Sequence, residues 1–155
     1  MIKVYLDNCC YNRLFDEEIN EKIISEKKTL NRIFKLIIKN RISLYSSKII
    51  DYEIEQMPES IKKSKLNEFY ESIGFANIEY SVNIEKRVEE LESYNIKYMD
   101  AYHIAFAEKE EVDYFVTVDK LLINRARDSN IKVEVVAPEE FERRCFKWQV
   151  IQGGK

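Results

Sequence analysis

The chain has 155 residues, 45% of them hydrophobic and 34% charged, with a formal net charge of −3. That is the make-up of one soluble globular domain large enough for a proper core, and it excludes a low-complexity or linker-rich chain. The acidic balance also argues against a pure nucleic-acid-binding module, although an enzyme that meets a polyanion through metal ions and local lysines stays open.

Residues 2–6 (IKVYL) read as a strand, first in the chain and central in character, which stops at Asp7 with Asn8 next. Lys3 and Asp7 break any signal-peptide pattern, and the longest apolar stretches are far short of a membrane span. After a loop over Cys9–Asp16, a helical period runs to about Lys39, with Ile19, Ile23, Ile24, Leu30, Ile33, Phe34, Ile37 and Ile38 on one stripe. ISLYS (42–46) is a second strand, and Ser47 caps a helix through Ile49, Ile50 and Glu53 towards Pro58. Pro58 and Ser60 open a helix to about Ser72, with Leu66, Phe69, Tyr70 and Ile73 inward, and Ile78–Tyr80 reads as extended.

A charged helix over Asn83–Ser93 comes next, with Val88 and Leu91 inside. Met99–Lys109 contains AYHIAFA, apolar on nearly every side, as a deeply buried helix should be. YFVTV (114–118) is a strand that again ends on an acid, Asp119. Leu121–Asp128 reads as a short helix, KVEVV (132–136) as a last strand and Pro138–Arg144 as a closing helix. The domain is expected over 1–148, with a frayed, flexible tail over 149–155. Strands alternating with helices, without hairpin signals, give an α/β sandwich around a mostly parallel sheet. Ligands in such sheets sit beyond the carboxyl ends of the strands, where the strand order reverses.

No glycine-rich phosphate loop, GxSxG elbow or HExxH is present. Three cysteines, with no CxxC and Cys9 and Cys10 adjacent, match neither a disulfide framework nor zinc, so reduced thiols in a cytoplasmic protein are expected. The lone His103 lies one turn after Asp100 and shares its face. A hydrogen-bonded structural histidine is the favoured reading, ahead of a metal ligand or base. The informative residues are carboxylates in apolar surroundings: Asp7 after VYL, Glu53 within IIDYEI, Asp100 opening the buried helix, and Asp119 after YFVTV. Asp51 rivals Glu53, although the two face apart on a helix. Converging carboxylates are tolerated when a cation sits between them, and oxygen ligands select Mg²⁺ or Mn²⁺ over Zn²⁺. Such a site suits in-line hydrolysis of a phosphodiester.

LDNCCYN, the glutamate of IIDYEI and above all MDAYHIAFAEKEEVDYFVTVDKLL resemble the PIN domain, over about residues 2–143. The resemblance implies a three-layer α/β/α sandwich around a mostly parallel central sheet. It also implies a Mg²⁺- or Mn²⁺-dependent endoribonuclease, with RNA as substrate and in many bacterial and archaeal members the role of toxin in a type II toxin–antitoxin pair. It assigns Asp7, Glu53, Asp100 and Asp119 as catalytic metal ligands, and Thr117 as a hydroxyl that supports them by hydrogen bonds. Asn8 and Ser47 are further candidates for that support. Lys120 and Arg125 are candidate phosphate contacts, with Lys62, Lys63 and Lys65 as a basic rim. The resemblance further implies a homodimer and an antitoxin partner; the short apolar stretches lead to the expectation of no membrane association.

Three rivals are weighed. A phosphatase of the haloacid dehalogenase type wants an acid two residues after the first aspartate, where this chain has Cys9. A receiver domain wants an acidic pair after the first strand, which is missing. A catalytically inactive PIN-like module that binds RNA or protein would show a broken acid quartet, and here all four positions are filled.

Overall fold

The computed structural model describes residues 1–17 and 20–153. Its centre is a sheet of five parallel strands in the order β3-β2-β1-β4-β5. These are β1 (Lys3–Leu6), β2 (Ser43–Ser46), β3 (Ala76–Asn77), β4 (Tyr114–Val116) and β5 (Glu134–Val136). A parallel strand covered on both faces is apolar throughout rather than alternating, and Val4, Tyr5 and Leu6 are all fully buried. β1 is therefore central, paired with β2 in the register Val4↔Leu44 and with β4 in the register Tyr5↔Phe115.

The chain first builds outward from β1 through β2 to β3, then crosses back to add β4 and β5 on the other side. The strand order thus reverses between β1 and β4, the point at which parallel α/β sheets form a ligand crevice beyond the carboxyl ends of their strands. Both strands deliver acids there.

Helices cover both faces, giving three layers. They are α1 (Asn8–Leu14), α2 (Glu21–Ile38), α3 (Lys48–Gln56), α4 (Ile61–Ile73), α5 (Val82–Glu92), α6 (Tyr98–Lys109), α7 (Lys120–Arg127) and α8 (Pro138–Gly153). On one face α2 packs against α1 and α8, around edge-on contacts of Tyr11 with Tyr70 and of Phe34 with Phe69. On the other, α5 lies along α6, which also meets α3. α6 buries every residue from Ala101 to Ala107. That explains why its sequence shows no polar face.

Four expectations are corrected. Cys9–Leu14 is helix rather than loop, and the long helix starts at Glu21, capped by Asn20, whose side chain accepts from Ile23 N at 2.9 Å. The apolar stripe of α2 is narrower than expected, because Ile24 and Ile38 are exposed while Ile23, Leu30, Ile33, Phe34 and Ile37 are buried; Ile19 lies outside the described residues. The third strand pairs at Ala76–Asn77, just after Gly74 (φ 80°), and not at 78–80; only Ile78 N still donates to the sheet, at Ser46 O. The closing helix passes Arg144 and runs to Gly153, and the tail expectation for Gly154 and Lys155 lies outside the described residues. Cys9, Cys10 and Cys145 are free thiols, and no described helix is long and apolar enough to cross a membrane.

Candidate active site

Asp7 stands where β1 ends and α1 begins. Its N–H donates across the sheet to Val116 O (3.0 Å), and its carbonyl accepts from Cys10 N (2.9 Å) to start the helix. An aspartate in that place ordinarily caps the helix with its side chain. Here it does not. Oδ2 of Asp7 instead accepts from the Thr117 hydroxyl (2.9 Å) and the Cys9 thiol (3.3 Å), which aims a carboxylate only 6% exposed into the crevice.

Thr117, just past β4, is itself buried, and its Oγ1 also accepts from Asp119 N (3.1 Å). Asp119 then caps α7, with Oδ1 accepting from Leu121 N (3.0 Å) and Leu122 N (3.2 Å). One threonine therefore links the acid of β1 to the acid after β4.

Glu53 and Asp100 arrive from the helical layer. Glu53, on α3, bonds through Oε1 to Nε2 of His103, and His103 is fully buried on α6. The same Nε2 lies 3.9 Å from Oδ1 of Asp7. Carboxylate oxygens of Asp7 and Glu53 and a ring nitrogen of His103 all lie within 4.8 Å of one another. Asp100, in the first turn of α6, has its carboxyl pushed up to about 6, chiefly by burial and then by the charge of Asp7. His103 pulls the other way, and Asp119 and Glu53 push upward again. Burial works against a charged His103 ring, but the Glu53 hydrogen bond and the charges of Asp7, Glu53 and Asp100 outweigh it and hold the ring above its usual range.

Asp7, Glu53 and Asp119 thus all act on the charge of Asp100. The raised Asp100 carboxyl reflects burial first and the neighbouring carboxylates second, and a bound cation would relieve the second of these. The oxygen-rich donor set fits a hard divalent cation such as Mg²⁺ or Mn²⁺. The buried Oδ1 of Asn8, without a hydrogen-bond partner among the described residues, is a further polar atom beside Asp7.

Other candidates fall differently. Asp51 is exposed, in a surface hollow with Tyr70 and Asn67, so Glu53 is the acid that α3 turns inward. Ser47 touches none of the acids: its Oγ bonds the Tyr5 hydroxyl (2.7 Å) and accepts from Ile49 N (3.3 Å). Lys120 is exposed. Arg125 lines a cleft of about 650 Å³ with Lys97, three residues before Asp100. Lys62 and Lys63 are committed to Asp16 (2.8 Å) and Glu59 (2.7 Å), and Lys65 lines a separate cleft with Lys62. The sequence reading missed Tyr5, whose hydroxyl meets Nδ1 of His103 at 2.6 Å. Its signal was the spacing of two from Asp7, which puts both side chains on one face of the sheet.

No family model and no curated protein matches the chain. Its structure is similar to the crystal structure of FitAcB from Neisseria gonorrhoeae, with a TM-score of 0.56 and 20% identity over 87% of this chain and 97% of that one. It is also similar to the crystal structure of VapBC2 from Rickettsia felis bound to a DNA fragment from their promoter, with a TM-score of 0.61 and 15% identity over 86% of this chain and 98% of that one. At such identities the likeness establishes the fold. That fold is PIN-like, in agreement with the resemblance of the sequence.

Proposed function

We propose that this PIN-like chain is a Mg²⁺- or Mn²⁺-dependent endoribonuclease, acting as the toxin of a toxin–antitoxin pair in the cytoplasm. The observation that carries the reading is the meeting of Asp7 and Glu53 carboxylate oxygens with His103 within 4.8 Å, beside Asp100, whose carboxyl is raised by burial first and then by the charges of Asp7, Asp119 and Glu53. Asp7, Asp100 and Asp119 would hold the ion with Glu53, and a bound ion would supply positive charge to activate water and to offset charge on the leaving oxygen. Thr117 fixes the direction of Asp7, and the two backbone donors at the start of α7 fix Asp119. Arg125 and Lys97, which line one cleft together with Asp128, would be the candidates for phosphate contacts. The likeness to FitAcB and VapBC2 supports an antitoxin as protein partner. A homodimer belongs to the same reading.

End-labelled structured RNA incubated with Mn²⁺ tests it, using wild type and Asp100→Asn purified identically. Wild type should cut, EDTA should stop it, and the substitution should lower the rate by about 10²-fold or more, as for loss of a charge aimed at the reacting group. Equal cutting by both proteins would assign the activity to a contaminant. Absence of cutting together with absence of any Mn²⁺ effect on melting would favour an inactive binding module.

A further inference from the structure

The four acids are not held alike. Asp7 is fixed by Thr117, and Asp119 by two backbone N–H groups. Glu53 has the longest of the four side chains, reaches in from a helix, and is still 26% exposed. Its partner among the described hydrogen bonds is His103. The histidine is fully buried and is held from behind by Tyr5, which is also fully buried and stacks on Phe115 with ring centroids 5.4 Å apart. Tyr5 is held in turn by Ser47, the N-cap of the helix that carries Glu53.

Ser47 Oγ accepts from Ile49 N and shares a hydrogen bond with the Tyr5 hydroxyl. With a neutral ring protonated on Nε2, Tyr5 donates to Nδ1 of His103; with a charged ring, Nδ1–H donates to Tyr5; in both, Nε2–H faces the carboxylate of Glu53. A nitrogen that donates a proton has no lone pair for a metal.

We infer that Tyr5 and His103 form a positioning relay that aims Glu53 at the cation site, with His103 acting on the metal through Glu53 and not as a ligand. The relay ties the central strand, α3 and α6 at one point and closes on the start of the same helix that carries the acid. The inference rests on the metal-site reading given above.

Mn²⁺ affinity of the intact protein, read by the free-ion electron paramagnetic resonance signal, tests it without reference to cleavage. His103→Leu should weaken Mn²⁺ binding about 10–100-fold, the usual cost of removing an outer-shell partner. Tyr5→Phe, which removes only a hydroxyl and keeps the packing, should weaken it less but measurably. His103→Gln, with one donor and one acceptor, should recover most of the loss. Pulsed measurements on Mn²⁺-loaded wild type should show no directly coordinated nitrogen. Coordinated nitrogen, or equal losses with Gln and Leu, would overturn the relay in favour of direct ligation. Wild-type affinity in folded Tyr5→Phe and His103→Leu would overturn it as well. If wild type binds no Mn²⁺ at all, the metal-site reading itself fails, which is a separate result from the variants matching a wild type that binds.

Discussion

Asp100 shows at the scale of one residue what the site costs the fold. A carboxyl raised from 3.8 to about 6 binds a proton more readily in the folded protein than in the unfolded one. Its contribution to stability is complete below pH 4 and is lost as the pH rises through about 6. Without metal, stability should therefore fall across that window. His103, also held above its usual range, extends the loss in the same direction. The rise from 3.8 to about 6 corresponds to about 3 kcal/mol, which partial exposure of Asp100 reduces to about 1–2 kcal/mol. In EDTA, Asp100→Asn should flatten the decline between pH 4 and 6 and make the protein more stable than wild type at pH 7.5 by about that 1–2 kcal/mol. Urea melts of both proteins at several pH values would check this. Parallel pH curves would mean that neither burial nor its neighbours raise the Asp100 carboxyl.

At the scale of elements, α6 needs anchoring because it carries both Asp100 and His103. Its far end is held by Glu108, which takes two hydrogen bonds from Arg87 of α5 (2.6 and 3.0 Å) and one from Lys132 N (2.8 Å). Arg87 also donates to Asn130 O, so the pair fastens α5, α6 and the approach to β5 together. Both side chains are largely covered. Arg87→Leu would leave Glu108 short of its charge partner, and should cost about 3 kcal/mol in thermal or denaturant unfolding. A loss below about 0.5 kcal/mol would place the pair among ordinary surface ion pairs.

The elements also separate what the sequence makes visible from what it hides. Strands that stop on Asp7 and near Asp119 are legible because apolar runs seldom end on carboxylates without a reason. The α6 helix is legible because seven successive buried residues leave it without a polar face. α1 (Asn8–Leu14) is hidden although Asp7 stands at its N-cap, and the Asp7 side chain does not cap it but accepts from Thr117. Tyr5 and His103 are hidden as a pair because 98 residues separate them and only the packing of α6 on β1 brings them together. The choice of Glu53 over Asp51 is half legible: helix geometry says that one turns inward, and the fold decides which.

For the whole molecule, the proposed function requires an acidic chain to meet a polyanionic substrate through a cation. A net charge of −3 gives little general attraction for RNA, so binding should depend on the ion at the crevice and on local charges such as Lys97 and Arg125. The parallel sheet makes this economical, since a single reversal of strand order places β1 and β4 side by side with their acids at the same end. Anomalous scattering from crystals soaked in Mn²⁺ tests the proposed metal centre directly. One or two peaks are expected within coordinating distance of the Asp7 and Asp100 carboxylates, with Glu53 and Asp119 around them, and no peak there in Asp100→Asn. Peaks confined to the molecular surface, or an empty crevice at millimolar Mn²⁺, would contradict it.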